Sequence, residues 1–236
     1  MATHGNGPLS RRERPAKPAL TRAGIIAAAV RIMRSEGLQK VTMRRLAQEL
    51  DTGPASLYVY VRNTAELHAA VLDELLGSVD MTPVSTDGDW RDRLIEVLTS
   101  CTTVLFSHPE LARAALVARP SGEHYLRLVE ALLALLDEGG VPPGQAAWGV
   151  DVLLQYATAT AAEHAGQDRA VDTQDDWDAL TRALHGASRD IHPHIAALAA
   201  ALLSGEPGDR LDWGFRVLLN GIMHTPVPAP PARSAD

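Results

Sequence analysis

Cysteine is nearly absent from this chain: of 236 residues only Cys101 is one. A lone thiol excludes an internal disulfide and suits a reducing compartment. No apolar run reaches the roughly 18 to 20 residues that a membrane-spanning helix needs. The first residues are polar and hold no hydrophobic core segment, so no secretory leader is expected and the chain is placed in the cytoplasm. Nothing matches HExxH, GxSxG, GxGxxG or a Walker phosphate loop, so neither a catalytic apparatus nor a cofactor is expected. Aromatic residues are few, with two Phe, four Tyr and four Trp, and Lys17 and Lys40 are the only lysines. His192 and His194, with His185 nearby, lack a cysteine or carboxylate cluster. They read as the start of a helix rather than as a metal site.

Charge is unevenly spread. Residues 1–64 carry eleven Arg and Lys against four acids, a net of +7, whereas residues 65–236 carry eleven against 25, a net of −14. The total of −7 therefore hides a basic head on an acidic body. Such a head suits a polyanion, and the body suits something else.

Hydrophobic residues make up 46% of the chain, enough to build real cores at this length. They recur at helical spacing throughout, with no alternating strand pattern. The expected fold is all-α, with nine to ten helices. Residues 1–18 read as a disordered basic tail containing Arg11, Arg12, Arg14 and Lys17. Residues 19–64 read as a small helical domain, residues 65–225 as a larger one, and residues 226–236 as a proline-rich tail. Cys101 falls in a stripe with Leu94, Val97, Leu98, Val104 and Leu105, which favours a packed thiol over a redox sensor.

The most informative stretch is VTMRRLAQELDTGPASLYVYVRNTAEL, from Val41 to Leu67. Thr42 is a good N-cap. Leu46, Ala47 and Leu50 then share a helical face. Asp51-Thr52-Gly53-Pro54 should stop that helix, with Gly53 taking backbone angles that other residues avoid and Pro54 opening the next helix. That helix, from Pro54 to about Val61, buries Leu57 and Val61 and leaves Ser56, Tyr58 and Tyr60 on other faces. Asn63 and Glu66 have the spacing that opens a further helix. Two short helices joined by a tight turn make sense if the second enters the major groove of DNA.

The stretch resembles the helix-turn-helix of TetR-type transcriptional regulators. The residues that carry the resemblance are Thr42, Arg44, Leu46, Ala47, Leu50, Leu57, Tyr58, Val61, Asn63 and Leu67, together with Ile25, Ala28, Ala29 and the ending Glu36-Gly37-Leu38 upstream. It spans about Leu20 to Leu76; beyond that only length and helical patterning agree. The resemblance implies an N-terminal three-helix DNA-binding head and a larger C-terminal helical domain for ligand binding and dimerisation. It implies that Thr42 meets a phosphate while capping, and that Arg44 reaches a guanine edge or a phosphate. Pro54, Ala55 and Ser56 would face the groove, and Tyr58 and Tyr60 would reach phosphates. Where the family carries a Lys at the start of the fourth helix this chain has Thr64, which can still hydrogen-bond a phosphate, with Arg62 as the neighbouring cation.

The expected partners are a double-stranded operator of near-palindromic sequence, an unidentified small-molecule effector and a second copy of the chain, with no membrane. Pairing is expected through residues 144–165, rich in small side chains at Ala157, Ala159, Ala161, Ala162 and Ala165, and through residues 209–224. The same helices could instead pack within one chain. Phe106, His108, Trp148, Gln155, Tyr156 and His164 are the candidates for an effector cavity. The function so implied is a repressor released by an inducer. A ligand-responsive activator, or a helical small-molecule-binding protein without DNA binding, are the alternatives.

Overall fold

A computed structural model describes residues 19–116, 120–167 and 173–228. The basic tail of residues 1–18 and most of the proline-rich tail lie outside the described residues. Eleven α-helices and no strand occur among those described. The count is one more than the nine to ten expected.

The head begins with α1 (Arg22–Glu36). The Oγ1 of Thr21 accepts the Gly24 amide at 3.1 Å, capping the helix start. Ile25, Ile26, Ala28, Ala29, Ile32 and Met33 are buried, a wider stripe than a helix packed on one neighbour would show. Gly37, at φ +89, ends it. After a 3-10 turn at Leu38–Lys40 comes α2 (Met43–Glu49), then α3 (Pro54–Leu57) and α4 (Thr64–Leu76). Leu46, Leu57, Val61 and Leu67 are fully buried and join α1 to these three helices.

The turn between α2 and α3 differs from expectation in which residue bends. Gly53 has an ordinary extended conformation, φ −78 and ψ 143. Asp51 is the residue in the left-handed region, at φ 47. It follows the C-cap Leu50, and two hydrogen bonds close the end of α2: the Asp51 amide to Gln48 O at 3.2 Å and the Thr52 amide to Ala47 O at 2.9 Å. This is the bonding of a Schellman motif, normally built on glycine. Aspartate is one of the few other residues that tolerate it.

The body comprises α5 (Trp90–Phe106), α6 (Pro109–Ala115), α7 (Glu123–Glu138), α8 (Pro143–Gln167), α9 (Thr173–His185), α10 (Pro193–Leu203) and α11 (Pro207–His224). Its core centres on α5 and α8, through Leu94, Val97, Leu98, Leu153, Ala157 and Ala161, with Leu128 and Leu132 from α7 and Phe215 from α11. Three of the small residues of α8, Ala157, Ala161 and Ala162, are buried inside the chain and do not form an outward pairing face, whereas Ala159 is exposed and the Ala165 side chain lies outside the described residues. Arg93 is buried and pins the α4–α5 connection, donating to Thr86 O at 3.0 Å and pairing with Glu138 at the end of α7. No described helix is long and apolar enough to cross a membrane.

Candidate DNA-reading head and effector cavity

Thr42 caps α2, its Oγ1 accepting the Arg45 amide at 3.2 Å, and it stays exposed. The two arginines that follow part company. Arg45 lies between two carboxylates, with Glu36 Oε1 at 2.6 Å and Glu49 Oε2 at 3.0 Å. The hydrogen bond from Arg45 holds the Glu36 carboxyl below its ordinary range. Arg44 is exposed, and its side chain makes no hydrogen bond or ion pair with another described residue. Its guanidinium is the one that solvent, or a groove, receives.

Pro54, Ala55 and Ser56 form α3 and are all exposed. The regular helix ends at Leu57, short of the expected Val61, and the amides of Tyr60 and Val61 both turn back to Leu57 O. Tyr58 is 52% exposed, so its phenol is free of the core, whereas Tyr60 is half-buried against it. Between them Val59 is 80% exposed, an apolar side chain held in water beside the other candidates. Sequence reading passed over it. The available signal was its phase, since it falls between the buried Leu57 and Val61 and shares neither face.

Thr64 opens α4 and is half-buried, but Asn63 is the cap, its Oδ1 accepting the Glu66 amide at 2.8 Å. Arg62 is turned toward Glu66, with Nε 3.0 Å from the carboxylate. The Arg62 amide, followed by its side chain, draws the Glu66 carboxyl below its usual range. Further along α4, the His68 ring is 3.1 Å from Val41 O and ties this helix to the start of the helix-turn-helix.

The body holds a cavity of about 430 Å³. Its walls are Leu72 and Leu76 of α4, Cys101 and Leu105 of α5, Ala115 and Leu116 at the end of α6, Tyr125 and Leu128 of α7, and Asp151, Leu154, Gln155, Thr158 and Ala159 of α8. The lining is apolar except along α8, where Gln155 Nε2 donates to Asp151 Oδ2 at 2.6 Å. Burial pushes the Cys101 thiol up to about 12, so it stays protonated and inert near neutrality.

Of the five candidates whose side chains are described, only Gln155 lines it. Phe106 is half-buried in the core. His108 lines a smaller recess at the junction of head and body, where burial, then the Arg34 charge, lowers its pKa. Trp148 faces solvent, 59% exposed. Tyr156 stacks edge-on against Phe215, ring centroids 5.2 Å apart, at the α8–α11 seam. The His164 side chain lies outside the described residues. Most of this cavity's wall is ordinary leucine and alanine from five helices, which no spacing in the sequence singles out.

Two family models match the chain: bacterial regulatory proteins of the tetR family over residues 25–71, and the tetracyclin repressor-like C-terminal domain over residues 82–225. The chain belongs to the TetR family. Among TetR-family relatives, an HTH-type transcriptional regulator of Saccharopolyspora erythraea is 30% identical, covering 89% of this chain and 87% of its own. A solved Streptomyces protein described as "putative transcription regulator SCO7704" is 61% identical over 91% of this chain and 100% of its own, with a TM-score of 0.76. The Streptomyces coelicolor TetR family protein ActR, solved in complex with actinorhodin, is 32% identical over 87% of this chain and 96% of its own, also at 0.76. This TetR-family chain is a transcriptional regulator whose helix-turn-helix is the unit from α2 to α3.

Proposed function

We propose that the chain is a repressor that binds a near-palindromic operator as a homodimer and leaves it when a small molecule fills the α4–α8 cavity. One observation carries this reading: α4 supports the helix-turn-helix at one end and walls the cavity at the other. His68 and Leu67 face the head, and Leu72 and Leu76 face the cavity. At 13 residues α4 is about 20 Å long, short enough to move as one body. An effector that prefers a displaced α4 therefore lowers operator affinity, within the roughly 5- to 150-fold that such couplings span.

The effector that best suits the lining is largely apolar, with hydrogen-bond donors for Asp151 and Gln155 along one edge. The ActR complex with actinorhodin supports a bound small molecule in a relative. Arg44, Pro54, Ala55, Ser56, Tyr58 and Val59 form the reading surface, with Thr42, Tyr60 and Thr64 beside phosphates. Residues 19–64 act as the head and residues 65–225 as the body, and the protein works in the cytoplasm. Pairing through the outer faces of α8 and α11 would set two heads about 34 Å apart or a multiple of it, matching successive turns of DNA.

Selection of bound sequences from a random DNA library with the full chain tests this. Enrichment of a near-palindrome, with binding that falls steeply as salt rises, is expected. A head that enriches nothing at low salt, from protein shown by mass spectrometry to carry no small molecule, would rule the reading out.

A further inference from the structure

Val59 is the most exposed large apolar side chain among the described residues, at 80%. Its direction follows from its neighbours. Leu57 and Val61 are fully buried, and Val59 lies two residues from each. The backbone is still helical there: Tyr58 has φ −64 and ψ −16, and the Val61 amide donates to Leu57 O, four residues back, at 3.0 Å. Two residues turn a helix by about 200°, so Val59 points away from the ridge that seats this unit on the head. Ala55, one turn earlier, is exposed on nearly the same line, and exposed Ser56 flanks it. Tyr58 and Tyr60 diverge from Val59 by about 100° to either side. The outermost line of the unit is therefore apolar, with hydroxyl groups along its margins.

We propose that Val59 reads the 5-methyl group of one thymine in each operator half-site. An isopropyl group neither donates nor accepts a hydrogen bond, so it gains nothing from a phosphate or from the polar edge of a base. The thymine methyl is the apolar group that base edges present in the major groove. Val59 stands in water in the free protein and gains by covering that methyl. Cytosine bears only a hydrogen at the same carbon and leaves the isopropyl without a partner. A purine there sets its N7 acceptor against a side chain that cannot donate, and loses a water in return. Val59 thus supplies preference at one base pair, while the hydroxyls beside it fix the height of the helix in the groove. This inference rests on the reading of α3 as the element that enters the groove.

Deoxyuridine isolates the methyl group, because it pairs as thymine does and lacks only that group. The operator is first selected from the random library with wild-type chain free of small molecules. Each thymine is then replaced by deoxyuridine, symmetrically in both half-sites, and affinity is read by anisotropy for wild type and Val59→Ala. In wild type one replacement should weaken binding about tenfold, from two methyl contacts worth roughly three- to fourfold each. In Val59→Ala the same replacement should cost less than about twofold, with the other thymines behaving as in wild type. The melting temperature of Val59→Ala should equal that of wild type, since the side chain is exposed. An operator in which no deoxyuridine weakens wild-type binding would overturn the assignment and leave operator binding by the head standing. The same penalty at the same thymine in both proteins would do likewise. A wild-type chain that enriches no sequence at low salt would instead overturn the placement of α3 in the groove, and the assignment with it.

Discussion

Arg44 and Arg45 are adjacent in the chain and have opposite tasks. Arg45 is held between Glu36 and Glu49 and braces the end of α1 against α2. Arg44 has no such partner among the described residues and is presented to solvent. Arg44→Ala should therefore weaken specific operator binding by about 1–3 kcal/mol and leave the melting temperature unchanged. Arg45→Ala should do the reverse, lowering the melting temperature with little change in which sequences are bound. Anisotropy titrations and thermal melts of both variants check this; an Arg44→Ala protein that binds the operator like wild type would remove Arg44 from the reading surface. Asp51 makes a related point. An acid beside DNA looks out of place until its left-handed backbone and the two bonds closing α2 are seen. Replacing it with glycine should stabilise the head by up to about 1 kcal/mol, read from urea denaturation, because glycine meets no steric penalty there.

At the scale of elements, α4 and α7 are joined by a cap supplied in trans. The N-cap of α7 is Gly122, which has no side chain to offer, and Asp73 Oδ1 of α4 accepts the Tyr125 amide at 2.9 Å instead. A methyl group at Gly122 would collide with that carboxylate. Gly122→Ala should cost about 1–3 kcal/mol in urea denaturation, and Asp73→Ala about 1 kcal/mol. In the double variant the alanine at 122 should cost much less than it does alone, because its obstacle is gone; additive losses would show that the two sites are independent. Such joints explain what the sequence made legible. The caps at Thr42 and Asn63 lie three residues from the amides they serve, so the spacing exposes them. Asp73 to Tyr125 and Glu110 to Leu38 bridge 52 and 72 residues, and nothing local marks either end. The head, built from short-range caps and apolar periodicity, could be read in advance. The cavity, assembled from five helices, could not: among its aromatic candidates Tyr156 fills the seam against Phe215 and Trp148 faces solvent.

Over the whole molecule, α8 and α11 keep their outer faces for something else. Leu153, Ala157, Leu211 and Phe215 point into the chain, while Trp148, Val152, Trp213 and Val217 stand exposed, Trp213 at 68%. Two tryptophans and two valines on adjoining helices make an apolar surface that gains by being covered. Trp213→Asp should convert the dimer to a monomer in sedimentation at micromolar concentration, and operator affinity should fall with it. A dimer that survives both Trp213→Asp and Trp148→Asp would place the pairing surface elsewhere.

The state of Cys101 reaches beyond packing. Because the chain's single thiol is buried and stays protonated far above neutral pH, maleimide dyes will find only the cysteines an experimenter adds. A pair placed on the exposed sides of α2 and α7 can be labelled without altering the native residue. The distance from head to body could then be followed in single molecules as operators and small molecules come and go.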